Sequence, residues 1–273
     1  MAVEKTIEHV SEATPVAHEA VEGAAHEGGI HVSLSAQKLG DVGGIPLTNT
    51  VVTTWLVVGA LVLAAMFASK RIRLIPGRFQ TLLETIFEFV YDYVAETLGS
   101  REMARTFFPL LMTIFIFVLA LNWFEFLPGV ESIKYHGEPL FRGVNTDLTT
   151  PLVLAIVSFL VIEITGLATI GVFKYGSKFI VNPLKNPIGF AIGLIELIGE
   201  FVRLVSLSFR LFGNILAGSV IIAVATYFAP YGAPGVLSLF EVFIGFLQAA
   251  IFALLTLFFI KLAIEEPHGE EAH

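Results

Sequence analysis

Apolar runs long enough to cross a bilayer recur along this chain, and nothing constrains its fold more. A spanning helix needs about 20 consecutive, mostly apolar residues. Residues 51–69, 106–127, 149–172, 188–228 and 236–262 each supply such a run. In lipid every backbone polar group must be paired internally, which leaves helices or closed barrels. A barrel would show period-two alternation in segments of about ten residues, and the sequence has none. An all-α polytopic membrane protein is therefore expected. Composition agrees: 55% of residues are hydrophobic and 15% charged, against about 25% charged in soluble domains.

The formal net charge of −8 is concentrated at the two ends. Residues 1–48 carry Glu4, Glu8, Glu12, Glu19, Glu22, Glu27 and Asp41 against Lys5 and Lys38, and read as a flexible, acidic, extracytoplasmic tail. The irregular spacing of His9, His18, His26 and His31 suits a solvated tail better than a metal site. Residues 49–264 read as the membrane domain and 265–273 as an acidic cytoplasmic tail. Acidic tails argue against nucleic-acid partners. The absence of cysteine excludes disulfides, Fe–S clusters and thiolate chemistry. No basic segment followed by an apolar core marks a cleavable signal peptide.

Loop charges set the orientation. Lys70, Arg71, Arg73 and Arg78 follow the first run, and Lys174, Lys178 and Lys185 follow the third. Such clusters belong on the cytoplasmic side. The N-terminus then lies outside, and the fifth span ends inside at Lys261. Between the first two spans, residues 79–98 set Phe79, Leu82, Leu83, Ile86, Phe87, Val90, Val94 and Leu98 on one face. Glu84, Glu88, Asp92 and Glu96 occupy the other. Four acids argue against spanning; an amphipathic helix at the cytoplasmic interface fits better, as a dock for a partner helix. Pro109 is expected in the first turn of the second span, where a missing N–H is harmless. No internal repeat points to a duplicated transporter fold.

The fourth run, residues 188–228, has neither proline nor a loop-like charge cluster. As one straight helix it would measure about 60 Å, twice the hydrocarbon core of about 30 Å. It therefore either breaks near Arg210–Asn214 or lies steeply aslant. At about 100° per residue, Glu200, Arg203, Arg210, Asn214 and Gly218 all fall within roughly 40° of Glu196. Leu207 is the one apolar member of this line, and Ser206 stands at its edge. The phase persists across Leu207, which favours one helix pairing with the fifth span in a long, tilted hairpin.

An arginine at mid-membrane costs about 2.5–3.5 kcal/mol on insertion scales. Its guanidinium stays protonated, so Arg210 can serve as a fixed barrier or as a partner to a carboxylate, never as a proton carrier. Glu196, Glu200 and Ser206 lie on its inner side and can hold water. Asn214 and Ser219 lie on its outer side. A hairpin through residue 232 would bring Gln248 level with residue 216 and Glu241 level with 223. Asn122 and Glu125 belong to the same outer set, with Glu163, on the third span, a further candidate for it. Two aqueous half-channels kept apart by a charge is the layout this implies. Polar residues also act as packing glue between membrane helices, an equal reading for Ser206, Ser219, Thr165 and Gly218. Glu200 and Arg203 can pair along their own helix. No acid lies within a helical turn of Arg210, so its counter-charge must come from farther away, another chain included.

The string SLSFRLFGNILAG, with its Arg-Leu-Phe-Gly-Asn core, resembles the signature of subunit a of the F-type rotary ATP synthases. NWFEFLPG, NTDL, Glu196 fourteen residues before Arg210, and LQAAIFALLT around Gln248 extend the resemblance over about residues 45–265. It implies a stator subunit of a bacterial inner membrane that guides ions past a ring of rotating c subunits, H⁺ by default with Na⁺ as the other option. Arg210 would face the ring's carboxylates. Asn214, Gln248, Asn122 and Glu125 would line the outer half-channel, and Glu196 and Ser206 the inner one. The peripheral-stalk subunit b is a further implied partner, and no cofactor is implied. Many bacterial members carry an acid where this chain has Ser219 and a histidine where it has Glu241. The acid has in effect moved to the neighbouring helix, which promotes Glu241 and weakens the case for Ser219. The chain itself lacks a GxxxxGK[ST] phosphate loop, so nucleotide chemistry is expected elsewhere. Rival readings are a stand-alone transporter using the same seam and a structural scaffold.

Overall fold

The computed structural model describes residues 38–42, 45–73, 75–127, 130, 133–135, 138–171, 174–176 and 187–264. Five of its helices are long and apolar enough to span a membrane. They are α1 (Asn49–Arg71), α3 (Arg101–Glu125), α4 (Thr149–Ile170), α5 (Pro187–Phe228) and α6 (Ala233–Ile264). The interfacial helix expected from the spacing of apolar residues is α2 (Arg78–Leu98).

The helix ends follow local chemistry. The Thr48 hydroxyl accepts from the Val51 N–H and opens α1, while Lys70 and Arg71 sit in its last turn, where cations suit the helix dipole. Gly99, at φ 68°, closes α2 in the left-handed conformation that glycine adopts freely. Ser100 then caps α3 by accepting from the Met103 N–H. This cap corrects the expected start of the second span. Residues 101–105 are good helix formers behind a serine cap, so α3 begins upstream and Pro109 lies inside it. The Thr113 hydroxyl donates to the Pro109 carbonyl.

The flexible tail expected over 1–48 also needs correction at its end. Lys38–Val42 (β1) and Ile45–Thr48 (β2) pair as an antiparallel hairpin leading into α1. Residues 1–37 and the C-terminal tail 265–273 lie outside the described residues. A second small hairpin, β3 (Lys134–Tyr135) and β4 (Glu138–Pro139), sits in the loop after α3, followed by a 3₁₀ turn at Val144–Thr146.

The core is built by α3, α4, α5 and α6. At the end carrying Lys70 and Lys261, Val94 and Leu98 of α2 pack with Ala104 and Leu111 of α3, Ile162 of α4, and Leu257 and Ile260 of α6. At mid-height, Ile114 and Val118 meet Ala155, Leu207, Leu211, Ala249 and Phe252. Helix α1 contributes Val57, with Leu61 packed beside it, to a third cluster with Leu121 and Val144. Most of its other apolar side chains, with those along the first half of α2, face outward, as a bilayer solvent allows.

Helix α5 is unbroken over 42 residues. At about 1.5 Å per residue it is about 63 Å long, so only a slanted course keeps its apolar length near a core of about 30 Å. Gly232, at φ 93°, makes the turn into α6.

Candidate functional site

The polar seam of α5 is the border between a packed face and an open one. Leu207, Ser208, Leu211, Ile215 and Gly218 turn into the bundle. Val202, Ser206, Phe209, Arg210, Ala217 and Val220 turn away from it. Glu196, Arg203 and Asn214 lie half-buried between the two faces. Arg210 is exposed and makes no hydrogen bond or ion pair with any described residue. Near it, a Cβ built at Gly213 would meet nothing within 4 Å. The Arg210 guanidinium thus stands on an open strip without a counter-charge from the described part of its own chain.

On the C-terminal side of Arg210, four elements converge. Asn122 of α3 is fully buried; its amide donates to the Gly245 carbonyl of α6 at 2.9 Å and its oxygen accepts from Asn145 at 2.7 Å. Trp123 donates to the Val242 carbonyl at 3.0 Å. One turn on, Glu125 accepts from the Ser219 hydroxyl of α5 at 2.9 Å, with its carboxyl seated over Gly143, where a Cβ would lie 2.5 Å from Oε2. Glu241 of α6 is 7% exposed and sits against Gly218 of α5, in a notch that a Cβ would fill, 2.5 Å from its Oε2. The carboxylates of Glu125 and Glu241 therefore approach α5 at adjacent residues, Ser219 and Gly218. Glu241 Oε2, Asn214 Nδ2 and Asn145 Oδ1 are buried without a hydrogen-bond partner. Buried polar atoms of this kind are commonly satisfied by water, and such a cluster can hold a file of it. Gln248, 7% exposed, lies one turn beyond Gly245 on the same helix.

Glu241 thus meets α5 at residue 218, five residues from the level expected of a hairpin folded at 232. The expectation assumed two helices running in register; a slanted α5 crosses α6 instead, which shifts the pairing.

On the N-terminal side of Arg210, Glu200 is 6% exposed and accepts from Arg203 at 2.7 Å, the pairing along the helix expected from their spacing. The Arg203 guanidinium also lies over the Phe259 ring, 5.0 Å from its centroid. Glu196 is half-buried and Ser206 exposed on the open strip. Glu163 was a candidate for the outer set, but the structure places it on this side. Its Oε2 accepts from the Tyr175 hydroxyl at 3.1 Å, and Tyr175 packs over Gly166 near the Ala263 carbonyl, at the Lys261 end of α6. The physical reason is the direction of α4, in which Glu163 lies seven residues before the end at Ile170, well past the middle. Burial, and next the neighbouring Glu163 charge, push the Tyr175 phenol above its ordinary range, so it remains a donor.

Asn145, Tyr175 and the two notch glycines, Gly143 and Gly218, are the participants that sequence reasoning missed or undervalued. Asn145 sits in the NTDL string, a signal that was visible. Tyr175 and Gly143 lie in loops, and loop sequence gives no phase from which to read a neighbour.

A bundle of spanning helices with buried carboxylates on both sides of an uncompensated guanidinium is the build of an ion-conducting membrane protein. The family model described as "ATP synthase A chain" matches residues 51–261. ATP synthase subunit a of Moorella thermoacetica is 32% identical over 219 residues, covering 80% of this chain and 92% of that protein. That of Geotalea uraniireducens is 31% identical, covering 81% and 89%. The sodium-ion-specific subunit a of Propionigenium modestum is 34% identical, covering 80% and 74%. This chain belongs to the ATP synthase A chain family: it is a membrane-sector, ion-translocating subunit and does not itself carry out catalysis.

Proposed function

We propose that this chain is the stator element that carries protons to and from the carboxylates of a rotating ring of c subunits. Two offset half-channels serve the two sides of a bacterial inner membrane, and Arg210 separates them. The outer one is lined by Asn122, Glu125, Asn214, Ser219, Glu241 and Gln248, and the inner one by Glu196, Glu200 and Ser206. The observation that carries this reading is the placement of Arg210. It stands exposed on an open strip of α5, with no partner among the described residues, and hydrated-type polar clusters lie to either side.

An unpaired arginine near mid-membrane is costly by about 2.5–3.5 kcal/mol. A ring carboxylate passing the strip offsets that cost. Meeting the guanidinium favours its ionised form, which drives the proton off into one half-channel, and leaving it allows reprotonation from the other. The same fixed charge repels a proton attempting to pass directly between the two. Each proton falling through 100 mV supplies about 2.3 kcal/mol, delivered as ring rotation rather than as chemistry on this chain. Positive clusters at Lys70–Arg78 and Lys174–Lys185, with Lys261, support a cytoplasmic face at that end. The exposed apolar side chains Phe79, Leu82, Ile86 and Phe89 of α2 support docking of the peripheral-stalk subunit b there.

The deciding experiment is Arg210→Ala in the whole complex in reconstituted vesicles, with ATP-driven pumping and passive leak measured separately. Coupled pumping is expected to vanish; normal pumping would refute the assignment. The likeness to a sodium-ion-specific relative favours one second reading, in which the ion is Na⁺. Under that reading ATP hydrolysis by the complex would rise with Na⁺ and proton pumping would be suppressed by it.

A further inference from the structure

Glu163 has no place in the two half-channels as they are drawn above, yet it is held with care. Its Oε2 takes the Tyr175 hydrogen at 3.1 Å, and its Oε1 is buried with no hydrogen-bond partner. Tyr175 is 3% exposed, and its ring fits only because residue 166 is glycine: a Cβ there would lie 2.5 Å from the ring edge. The phenol lies within electrostatic reach of Glu200 and Arg203 of α5. The Glu163–Tyr175 pair and the Glu200–Arg203 pair therefore lie near each other, on the side of Arg210 that bears Glu196.

A packing role explains this poorly. A carboxyl used as glue has both oxygens engaged, because a buried acceptor left empty is costly. Here one oxygen is fixed and the other kept open. We propose that Glu163 is a proton-relaying carboxylate on the α4 wall of the inner half-channel and that Tyr175 is its positioning residue; this rests on the two-half-channel reading above. A proton arriving on Oε1 converts the carboxylate to the acid, and its release to water restores the carboxylate. The phenol, raised above its ordinary range by burial and by the adjacent carboxylate, keeps its own proton throughout and only orients the acceptor. The inner path thereby gains a wall and a carboxylate from a helix other than α5.

The whole complex in inverted vesicles provides the test. Glu163→Gln is expected to slow ATP-driven pumping several-fold, with Glu163→Asp close to the unmodified rate. Tyr175→Phe is expected to slow pumping two- to fivefold and to raise its solvent deuterium isotope effect, which a packing defect would leave unchanged. The chain contains no cysteine, so Glu163→Cys offers a unique thiol in this subunit, and Ag⁺ added at the cytoplasmic face is expected to inhibit it. Pumping by Glu163→Gln at the unmodified rate, or inhibition of Glu163→Cys by Ag⁺ from the outer face alone, would overturn the proposal. Either result with Arg210→Ala still unable to pump would leave the two half-channels standing and remove only Glu163 from them. Normal pumping by Arg210→Ala would remove the half-channels themselves.

Discussion

In the function proposed above, Arg210 supplies the charge, Glu241 a carboxylate and Gly218 the space to hold it. Gly218 gives up its side chain so that the Glu241 carboxyl can seat against α5. Gly218→Ala should therefore displace that carboxyl and lower pumping several-fold, and the shorter acid in a Gly218→Ala/Glu241→Asp double variant should recover part of the loss. Equal rates in the single and double variants would refute the steric account. Glu241→Gln keeps the volume but removes the charge, so it should slow both ATP synthesis and ATP-driven pumping. Unchanged rates in both directions would shift the outer relay to Glu125, which sits one residue farther along α5, against Ser219.

At the scale of elements, caps and turns decide where each helix places its polar groups. Ser100 starts α3 eight residues before Pro109, and Ser100→Ala should cost about 1 kcal/mol of stability as a lost cap. Gly232 occupies a positive-φ turn between α5 and α6. An alanine there is strained by about 1–2 kcal/mol and should lower the unfolding temperature of the detergent-solubilised chain. Asn122 joins three elements through its two buried hydrogen bonds. Asn122→Leu leaves the Asn145 amide without its acceptor and takes from the Gly245 carbonyl the donor it has beyond its helical one, so a larger loss of thermal stability is expected than for either of the other changes. A smaller loss would mean that water replaces the amide without penalty.

For the molecule as a whole, packing is concentrated in α3, α4, α5 and α6 and the Val94–Leu98 end of α2, while most of α1, the rest of α2 and one strip of α5 stay open. The contact with the ring proposed above falls on the open strip that carries Arg210. Assembly with the ring should therefore protect a cysteine placed at Ala217 from thiol reagents. Equal labelling with and without the ring would contradict contact on that strip.

The number of candidate spans, the amphipathic character of α2, the continuity of α5 and the isolation of Arg210 from acids on its own helix were all legible in the residue pattern. They depend on periodicity and on the cost of charge in lipid, both of which act locally along one helix. Pro109 was misplaced because the cap upstream of it was overlooked. The 38–48 hairpin is not legible because its short strands, interrupted by Gly40, Gly43, Gly44 and Pro46, are too brief to show a period-two pattern. The level at which Glu241 meets α5, and the side on which Glu163 lies, were decided only by tertiary structure. Sequence fixes which face of a helix is polar, but the depth at which two faces meet depends on the angle at which the helices cross. That angle is set by all the side chains packed between them. The seam of α5 illustrates both: its line of polar residues was readable from spacing alone. That the line is a border, with Leu207 and Gly218 turned inward and Arg210 outward, follows from where the other helices stop.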